Sequence, residues 1–589
     1  MSSSALKAVD SRDMQYLHAV VDMGSNGIRF SISDLSPATQ RIMPTVFQDR
    51  AGISLYDAQF GAEGSTRRAI PDEVRDQIVS RLLRFKVTCE DFGVPAENVQ
   101  ILATEATRTA PNSIEFRAAI YKATGWEVTM LPKEEEGRIG GLGIASSLSR
   151  VEGLVMDLGG GSVQLSWMIF THGSAEVQSY PGGSISFPYG AAALTRRLDE
   201  AQKDGADAVR RLKEEMLLCF RGAVSDLQLP SSLQAKLEED GGLDLYLSGG
   251  GFRGWGYLLL SQSPINPYPI PILNGFSTDR SQFLDTSAII STLSSESTIY
   301  GVSARRATQV PAVAFLINVL AESIPSIKKI HFCQGGVREG ILFDKLPPRV
   351  RWNHPLVEAT SLFKTRSTLE LALLLRQAIP AVDAAGNPYA PPPAVTAPGF
   401  IEALANSMYI HSSVPRESYA ATALHSTTTG ILAYAHGLSH TDRAMLCLAL
   451  FDRWTGDVSP SDERFLQRLR SILSVQEAWW CQYIGRVAGL VGSIYPAGVM
   501  GSQSRITFSA RLSHRQTKKG LTKHLLNLVA KIPDSKHPSF EGDSVAAGLK
   551  KIKRTGKKGE YIRSNERIGL PLPGDEDWRL KVDTELSCF

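Results

Sequence analysis

Four short apolar runs along the chain end abruptly in glycines. They occupy residues 17–33, 153–168, 243–260 and 327–343. In the first two, apolar residues return at alternate positions after the glycines, which predicts β-hairpins with glycine-rich turns. The last two lack this alternation, which favours a strand, a tight turn and the N-terminus of a helix.

Helix-like segments lie between these runs. Residues 71–93 and 113–125 carry apolar residues at helical spacing and end at glycines, and residues 99–106 predict a strand between them. The N-terminal part therefore alternates strands and helices, which indicates an α/β architecture. The repeated hairpins indicate two similar halves, which begin near residues 16 and 152.

The pattern becomes mainly helical after residue 348. Helices are predicted over residues 354–379, 430–454 and 462–494, with a proline-rich loop at 387–399. Beyond residue 503 the pattern indicates a small α+β tail. Its predicted elements are a strand over 504–514, a helix over 521–532 and a final strand over 578–586.

These patterns divide the chain into five parts. They are a flexible N-terminus (1–15), a first half (16–150), a second half (151–347), a helical domain (348–502) and a C-terminal α+β extension with a basic loop (503–589).

Composition narrows the class of protein. The 589 residues are 43% hydrophobic and 21% charged, as is ordinary for a soluble protein. The formal net charge of +3 gives no reason to expect direct nucleic-acid binding. The N-terminus lacks the apolar core of a signal peptide, and no apolar run approaches the ~20 residues of a membrane span. We therefore expect no membrane association and a cytoplasmic location, with the nucleus left open.

The two hairpins carry matched aspartates, Asp22 in DMGSNG and Asp157 in DLGGGS. Backbone N–H groups in glycine-rich turns form concave anion sites, and small polar side chains add donors without blocking the approach. An aspartate at a strand end can also hold hydrated Mg²⁺ beside a bound phosphate. The predicted phosphate-binding residues of the loops are Asp22, Gly24, Ser25, Asn26, Gly159, Gly160, Gly161 and Ser162.

Seven segments together resemble the exopolyphosphatase/guanosine pentaphosphate phosphatase (Ppx/GppA) family of the actin-like ATPase superfamily. Between about residues 16 and 345 they are, in order, VVDMGSNGIRFSI, ILATEATR, LPKEEEGRIGGLG, VMDLGGGSVQLSW, YPGGSISFPYGAAALT, LYLSGGGFRGWG and HFCQGGVREGILF. The resemblance implies two ribonuclease-H-like halves that clamp a nucleotide or polyphosphate. The expected fold is thus α/β, followed by a mainly α-helical domain and a small α+β tail.

The resemblance also implies roles for single residues. Glu135 in EEEGR matches the general base for water attack, Asp157 the aspartate that positions metal and water, and Arg108 a phosphate-contacting arginine. Gly249, Gly250 and Gly251 match a loop that contacts a nucleotide base or closes the cleft. The residues alone leave alternatives open: EEEGR as a solvated helix start, and Arg108 as a surface arginine.

One position departs from the family pattern. Active members have GGGSTE in the second loop, where the glutamate helps to bind a divalent metal, and this chain has GGGSVQ with Gln164. Gln164 offers a carbonyl oxygen but no negative charge, which weakens a Mg²⁺ site formed with Asp157. Turnover is therefore less expected than binding.

Two functions follow from the resemblance. The DLGGGSVQLSW form and the long C-terminal extension resemble fungal members that act in signalling from mitochondria to the nucleus. We therefore expect a sensor that binds ATP or polyphosphate and regulates transcription through protein partners. The alternative is an active phosphohydrolase for polyphosphate or guanosine pentaphosphate, with Glu135 as base. Homodimerisation through the C-terminal region is a further expectation.

Two weaker signals lie in the C-terminal region. His436, His440 and Asp442 could suggest a metal site, although polar residues at a helix junction explain them better. The basic segment 549–560 is expected to be a solvated loop.

Overall fold

The computed structural model describes most of the chain in two compact units. The first unit comprises residues up to 262 and 272–353, and the second comprises 263–271 and 354 onwards. The described residues are 14–60, 67–171, 176–295, 299–383, 385–397, 399–456, 458–516, 522–533, 542–556 and 580–588. Most of the predicted flexible N-terminus and the end of the basic segment lie outside them.

The first half of the first unit is a five-stranded sheet in the order β3-β2-β1-β4-β5. The strands β1, β2 and β3 are antiparallel neighbours, whereas β4 joins β1, and β5 joins β4, in parallel. Their bounds are β1 Leu17–Gly24, β2 Gly27–Asp34, β3 Thr45–Ala51, β4 Val99–Ala103 and β5 Val128–Met130.

The second half repeats this arrangement. Its sheet has the order β11-β12-β10-β6-β7-β8, and β9 also pairs with β7. The series β9-β7-β6-β10-β12 matches the first sheet strand for strand, in order and direction. The bounds are β6 Val151–Leu158, β7 Val163–Phe170, β8 Gln178–Ser179, β9 Ile185–Phe187, β10 Leu243–Ser248, β11 Ser277–Asp279 and β12 Ile327–Phe332. The predicted α/β fold with two similar halves is confirmed.

Helices connect these strands. In the first half they are α1 Leu55–Phe60, α2 Asp72–Phe92, α3 Glu105–Arg108, α4 Ser113–Thr124 and α5 Lys133–Ser146. In the second half they are α6 Ala191–Lys203, α7 Ala206–Asp226, α8 Ser231–Asp240, α9 Gly250–Ser261, α10 Arg280–Leu284, α11 Thr286–Ser295, α12 Ala304–Ala307, α13 Val310–Ser323, α14 Val337–Lys345 and α15 Pro348–Arg351.

Helices α5 and α14 cross in backbone contact. A Cβ atom on Gly143 would lie 2.3 Å from the carbonyl oxygen of Gly336, and one on Gly335 would lie 1.9 Å from that of Gly143. Glycine is therefore required on both sides of the crossing. This contact explains Gly143 in GRIGGLG and Gly335 in QGGVREG, and it fixes the position of the acidic first turn of α5.

The second unit contains the predicted helical region, although its helices are shorter than the sequence suggested. The segment 354–379 forms two helices, 430–454 is helical only from His440, and 462–494 is broken near Ser474. Capping boxes at Ser439 and Ser474 fix two of these starts. The helices are α16 Pro355–Thr360, α17 Thr368–Gln377, α18 Pro393–Thr396, α19 Phe400–Ser407, α20 Tyr419–His425, α21 His440–Trp454, α22 Pro460–Arg470 and α23 Val475–Ile494.

The tail forms a three-stranded sheet with one helix. The helix predicted over 521–532 is wrong, because this segment is the central strand β14 Thr522–Ile532, between β13 Thr507–Gln516 and β15 Leu580–Cys588. Alternate residues of β14, from Leu526 to Ile532, are buried, as a half-buried strand requires. The start of the basic segment belongs to helix α24, Gly542–Ile552, and not to a loop. Within the described ranges, no helix has the length and apolarity to span a bilayer.

Candidate functional site

The two glycine loops are the turns of the β1–β2 and β6–β7 hairpins. Gly24 pairs with Gly27, so the first turn consists of Ser25 and Asn26. Leu158 pairs with Val163, so the second turn runs from residue 159 to residue 162. Both sequence-predicted hairpins are thus present.

The loops lie against each other through Asn26. A Cβ atom on Gly160 would lie 2.5 Å from the Asn26 side chain. Asn26 also accepts hydrogen bonds from two arginines, at its side-chain oxygen from Arg305 over 3.0 Å and at its carbonyl oxygen from Arg50 over 3.3 Å. The first loop is therefore held between the second loop and these two cations.

The start of helix α6 supports the second loop. The amides of Ala191 and Ala192 donate to the carbonyl oxygens of Gly159 and Gly160 over 2.9 and 3.0 Å. A Cβ atom on Gly190 would lie 2.3 Å from the Ser162 nitrogen. These contacts use loop carbonyls, and the Gly159 amide donates to the Ser162 carbonyl oxygen over 3.0 Å, so the amides of residues 160–162 are the loop donors left for an anion.

Asp22 and Asp157 lie in one cleft of about 580 Å³. Burial raises the pKa of both carboxyls. Arg29 opposes the rise at both sites, and a hydrogen bond with Ser248 opposes it at Asp157. The sequence-predicted loop residues also line this cleft: Gly24, Ser25, Asn26, Gly159, Gly160, Gly161 and Ser162.

The cleft receives Glu136 rather than Glu135 from the acidic first turn of α5. The Glu136 side chain is 14% exposed and lines the cleft. Burial, with smaller contributions from Glu105 and Asp22, raises its pKa to about 7 against the opposing effect of Arg108. Glu135, predicted as the base, is 37% exposed and is not among the residues described as lining the cleft.

Glu135 belongs to a surface ion pair instead. Arg138 donates to both of its carboxylate oxygens over 2.8 Å and also binds Asp344. The hydrogen bond from Arg138 holds the pKa of Glu135 below its usual value. A carboxylate bound in this way is a weak base.

Arg108, predicted to contact phosphate, is bound to other protein groups. Its Nη1 atom donates to the carbonyl oxygen of Leu131 and, over 3.3 Å, to Oε2 of Glu136. Arg108 is not among the described residues that line the cleft. In this conformation it positions Glu136.

The arginines that do line the cleft come from five other segments, and sequence reasoning missed all of them. Arg29 pairs across the hairpin with Asp22, so the two-residue turn could have revealed it. Arg253 and Arg338 follow glycine loops that were recognised, whereas Arg305 and Arg306 lie outside any motif. Six arginines line the described part of the cleft: Arg29, Arg50, Arg253, Arg305, Arg306 and Arg338.

The positive charges of these arginines repel one another, which makes each guanidinium group more costly to keep protonated. Burial first, and then the charges of Arg253, Arg50 and Arg29 in that order, lower the pKa of Arg306 to about 10. Arg50 is affected in the same direction, first by burial and then by Arg29, Arg305 and Arg253. A multivalent anion in the cleft would remove this repulsion.

Gln164 lies directly opposite Asp157 across the β6–β7 pair, at the position that Arg29 holds opposite Asp22. Gln164 and Arg29 both line the cleft. Across the described ranges, no group of three or more His, Cys, Asp or Glu side chains is placed to hold a metal. A metal here would depend on Asp22, Asp157, the Gln164 carbonyl and the ligand itself.

A third glycine loop, residues 249–251 after strand β10, lines the cleft with Gly249 and Gly250. Gly251 packs against Leu158. Gly249 has φ of +93°, and a Cβ atom there would lie 2.4 Å from the Leu158 carbonyl oxygen. Arg253 lies in the first turn of helix α9, directly after this loop, and also lines the cleft. This part of the cleft is therefore cationic.

His440 and Asp442 of the second unit have structural contacts. His440 is hydrogen-bonded to the hydroxyl of Tyr268 over 2.9 Å, and Asp442 completes the capping box with Ser439. Helix capping thus accounts for Asp442, as expected at a helix junction.

Comparisons with known proteins cover both units. The family model described as Ppx/GppA phosphatase family matches residues 32–349, and that described as RTG2 C-terminal domain matches residues 354–580. The chain is 39% identical over 497 residues to Retrograde regulation protein 2 of Saccharomyces cerevisiae, covering 82% of this chain and 81% of that protein. It is 26% identical over 335 residues to Exopolyphosphatase 1 of Mycobacterium tuberculosis, covering 56% of this chain and 87% of that protein.

Two solved structures show similarity to just over half of the chain. An exopolyphosphatase from Cytophaga hutchinsonii is 19% identical with a TM-score of 0.42, covering 56% of this chain and 99% of its own. The Aquifex aeolicus PPX-GPPA enzyme is 22% identical with the same TM-score and the same coverages.

Proposed function

The chain belongs to the Ppx/GppA phosphatase family, and we propose that its cleft binds the phosphoanhydride chain of ATP or polyphosphate as a signal. The observation that carries the proposal is the arrangement of six arginines around two phosphate-type glycine loops. Guanidinium groups and loop amides both donate hydrogen bonds to phosphoryl oxygens. Since arginines continue beyond the loops to Arg253 and Arg306, a chain of several phosphates suits the cleft.

The metal site supports binding over turnover. Asp157 and Gln164 would hold Mg²⁺ together with the ligand's oxygens, because Mg²⁺ keeps several waters and needs few protein ligands. When bound, it would neutralise phosphate charge and polarise a phosphoryl oxygen. A neutral amide in place of a carboxylate weakens this site, which favours a sensor.

We further propose that the sensor acts in retrograde regulation, from mitochondria to the nucleus, and influences transcription through protein partners. The similarity to Retrograde regulation protein 2 over most of both chains supports this assignment. The second unit, which matches the RTG2 C-terminal domain, is a candidate surface for those partners or for a homodimer. A cytoplasmic protein whose partners enter the nucleus fits this role.

Hydrolysis is the second candidate, and Glu136 is the observation that favours it. A carboxylate with a pKa of about 7 inside the cleft has the properties of a general base near neutral pH. In this alternative, Glu136 takes the role that the family resemblance assigned to Glu135. Similarity to exopolyphosphatases also supports it.

Ligand binding tests the proposal. Equilibrium binding of a labelled ATP analogue and of labelled polyphosphate, with and without Mg²⁺, should show binding that Asp157→Ala weakens. Asp199→Ala, the same change at an exposed position of α6, should leave affinity unchanged. Absence of binding under every condition contradicts both candidates. If the wild type releases phosphate and Glu136→Gln does not, the protein is a hydrolase and the sensor proposal is contradicted.

A further inference from the structure

A second cavity of about 190 Å³ adjoins the cleft at the glycine loops. It shares Ser25, Glu105 and Gly161 with the cleft. We call it the arginine pocket; its characteristic residues are Tyr56, Gln59, Phe60, Arg67, Glu105 and Arg196. Since one water occupies about 30 Å³ of liquid volume, it has room for a small hydrated ion.

Two cations of this pocket share one aromatic ring. The guanidinium carbons of Arg67 and Arg196 lie 5.2 and 4.9 Å from the centre of the Phe60 ring. The ring of Tyr56 lies 4.6 Å from that of Phe60. Both guanidinium groups thus pack against the aromatic wall of the pocket, and guanidinium N–H groups are strong hydrogen-bond donors to anions.

The two arginines differ in their ion pairs with carboxylates. Among the described residues, Arg67 forms no salt bridge. Arg196 contacts Glu200 over 3.6 Å, but Glu200 is 61% exposed, and such surface pairs contribute little. The adjacent Arg197 is bound by Glu215 over 2.8 Å.

The pocket also contains acceptors. Gln59 is 1% exposed, and its Nε2 atom donates to the carbonyl oxygens of Leu55 and Ala106. Its Oε1 atom is buried, and none of the described residues donates a hydrogen bond to it. A buried acceptor without a donor destabilises the folded protein, and a donor from a bound ligand would remove that cost. The carboxylate of Glu105 is a second acceptor on the wall.

We propose that the arginine pocket binds orthophosphate. Arg67 and Arg196 donate to its ionised oxygens, while Gln59 and Glu105 accept from its P–OH group. Orthophosphate retains at least one such proton at neutral pH, whereas sulfate is fully ionised and offers none. The combination of two cations and two acceptors therefore selects a protonated oxyanion.

Gly161 separates the pocket from the cleft. A Cβ atom at Gly161 would lie 3.5 Å from Oε2 of Glu105, 3.6 Å from Oγ of Ser25 and 3.6 Å from the Tyr56 ring. An ion in the pocket would thus contact the walls of both loops. This site goes beyond the proposed function, because it does not require the cleft to bind a nucleotide or polyphosphate.

Equilibrium dialysis of the full chain with ³²P-orthophosphate tests the site. We expect one binding event that the double variant Arg67→Gln/Arg196→Gln weakens at least tenfold. Arg210→Gln, in an exposed pair with Asp207, should leave it unchanged. If Arg306→Gln alone abolishes binding, the phosphate lies in the cleft and the inference is overturned.

Competition by sulfate tests the acceptors with the wild-type protein, so it remains decisive if a variant fails to fold. Sulfate should displace orthophosphate at least tenfold less effectively than unlabelled orthophosphate does, and Glu105→Gln should reduce that preference. Equal competition by sulfate, or no binding of orthophosphate, overturns the inference. Binding of labelled polyphosphate is measured separately, so failure of this site is distinguishable from failure of the proposed function.

Discussion

Arg108 binds the Glu136 carboxylate over 3.3 Å, although the next carboxylate along the chain, Glu135, is bound by Arg138 at the surface. Helical geometry turns adjacent residues by about 100°, so the two acids face different surroundings. Burial raises the pKa of Glu136 to about 7, whereas the hydrogen bond from Arg138 lowers that of Glu135. The two neighbours are therefore not interchangeable in function.

The first prediction separates these two glutamates. In a form of the protein that releases phosphate, Glu136→Gln should lower the rate by ~10²–10⁴-fold, the usual contribution of a general base. Glu135→Gln makes the same chemical change one residue away and should leave most of the rate. The measurement is phosphate release under saturating substrate. A larger loss in Glu135→Gln would restore the assignment made from the sequence.

The second prediction concerns stability and pH. Folded Glu136 keeps its proton up to about pH 7, whereas its unfolded value is 4.5. The native state therefore binds more protons between these values, and its stability falls as pH rises through them. Glu136→Gln removes that loss, so it should gain stability relative to the wild type on the order of 3 kcal/mol between pH 4 and pH 8.

Glu135→Gln should show the opposite dependence. The lowered pKa of Glu135 stabilises the native state above pH 4.5, and this contribution disappears as the pH falls below the folded value. Thermal denaturation of wild type and both variants at pH 4, 6 and 8 makes the comparison. Parallel curves for the two variants would mean that their environments do not differ as described.

The third prediction concerns the metal. Gln164→Glu should place a second carboxylate opposite Asp157 and strengthen Mg²⁺ binding, because hard cations favour anionic oxygen ligands. We expect tighter Mg²⁺-dependent ligand binding and, if Glu136 is a competent base, new or increased phosphate release. Gln178→Glu, an exposed change in the neighbouring strand β8, is the control. An unchanged Mg²⁺ titration would exclude Gln164 from the metal site.

The fourth prediction concerns the cationic lining. Arg306→Ala should weaken tripolyphosphate binding by about 10- to 100-fold, since hydrogen bonds to charged groups contribute ~1.5–3 kcal/mol. Its affinity should also depend less steeply on salt. Arg210→Ala, at an exposed surface position, should change neither quantity. Equal affinities for wild type and Arg306→Ala would place the ligand elsewhere.

The fold was largely accessible from the sequence because its signals are local. Alternating apolar residues around DMGSNG and DLGGGS predicted two hairpins. The structure confirms that the hairpins occupy equivalent places in two similar sheets. Helix starts at Ser439 and Ser474 were missed, although S-x-x-D and S-x-x-E capping boxes stood in the sequence. The strand Thr522–Ile532 was mistaken for a helix, because the spacing of its leucines fits both a helix and a strand. Pairing with its two neighbouring strands makes it a strand.

The site was less accessible because it depends on contacts between distant segments. The aspartates and glycines of the loops could be found as motifs, but Arg305 and Arg306 reach the cleft from a segment without any motif. The sequence likewise gave no means of choosing between Glu135 and Glu136. That choice depends on how the crossing at Gly143 and Gly335 orients helix α5.

The fifth prediction tests how the second loop is held. Gly190 has φ of −61°, which any residue adopts, but a Cβ atom there would lie 2.3 Å from the Ser162 nitrogen and 2.4 Å from the Gly161 carbonyl carbon. Gly190→Ala should therefore push the loop away from helix α6, lower stability by ~1–3 kcal/mol and weaken phosphoanhydride binding.

Gly222→Ala is the matched control for that change. Gly222 is an exposed residue within helix α7, and a Cβ atom there would meet nothing within 4 Å. Alanine should stabilise the helix by ~0.5–1 kcal/mol and leave ligand affinity unchanged. Binding and thermal denaturation of both variants decide the outcome. If Gly190→Ala retains full affinity, close contact with helix α6 does not hold the loop in its binding conformation.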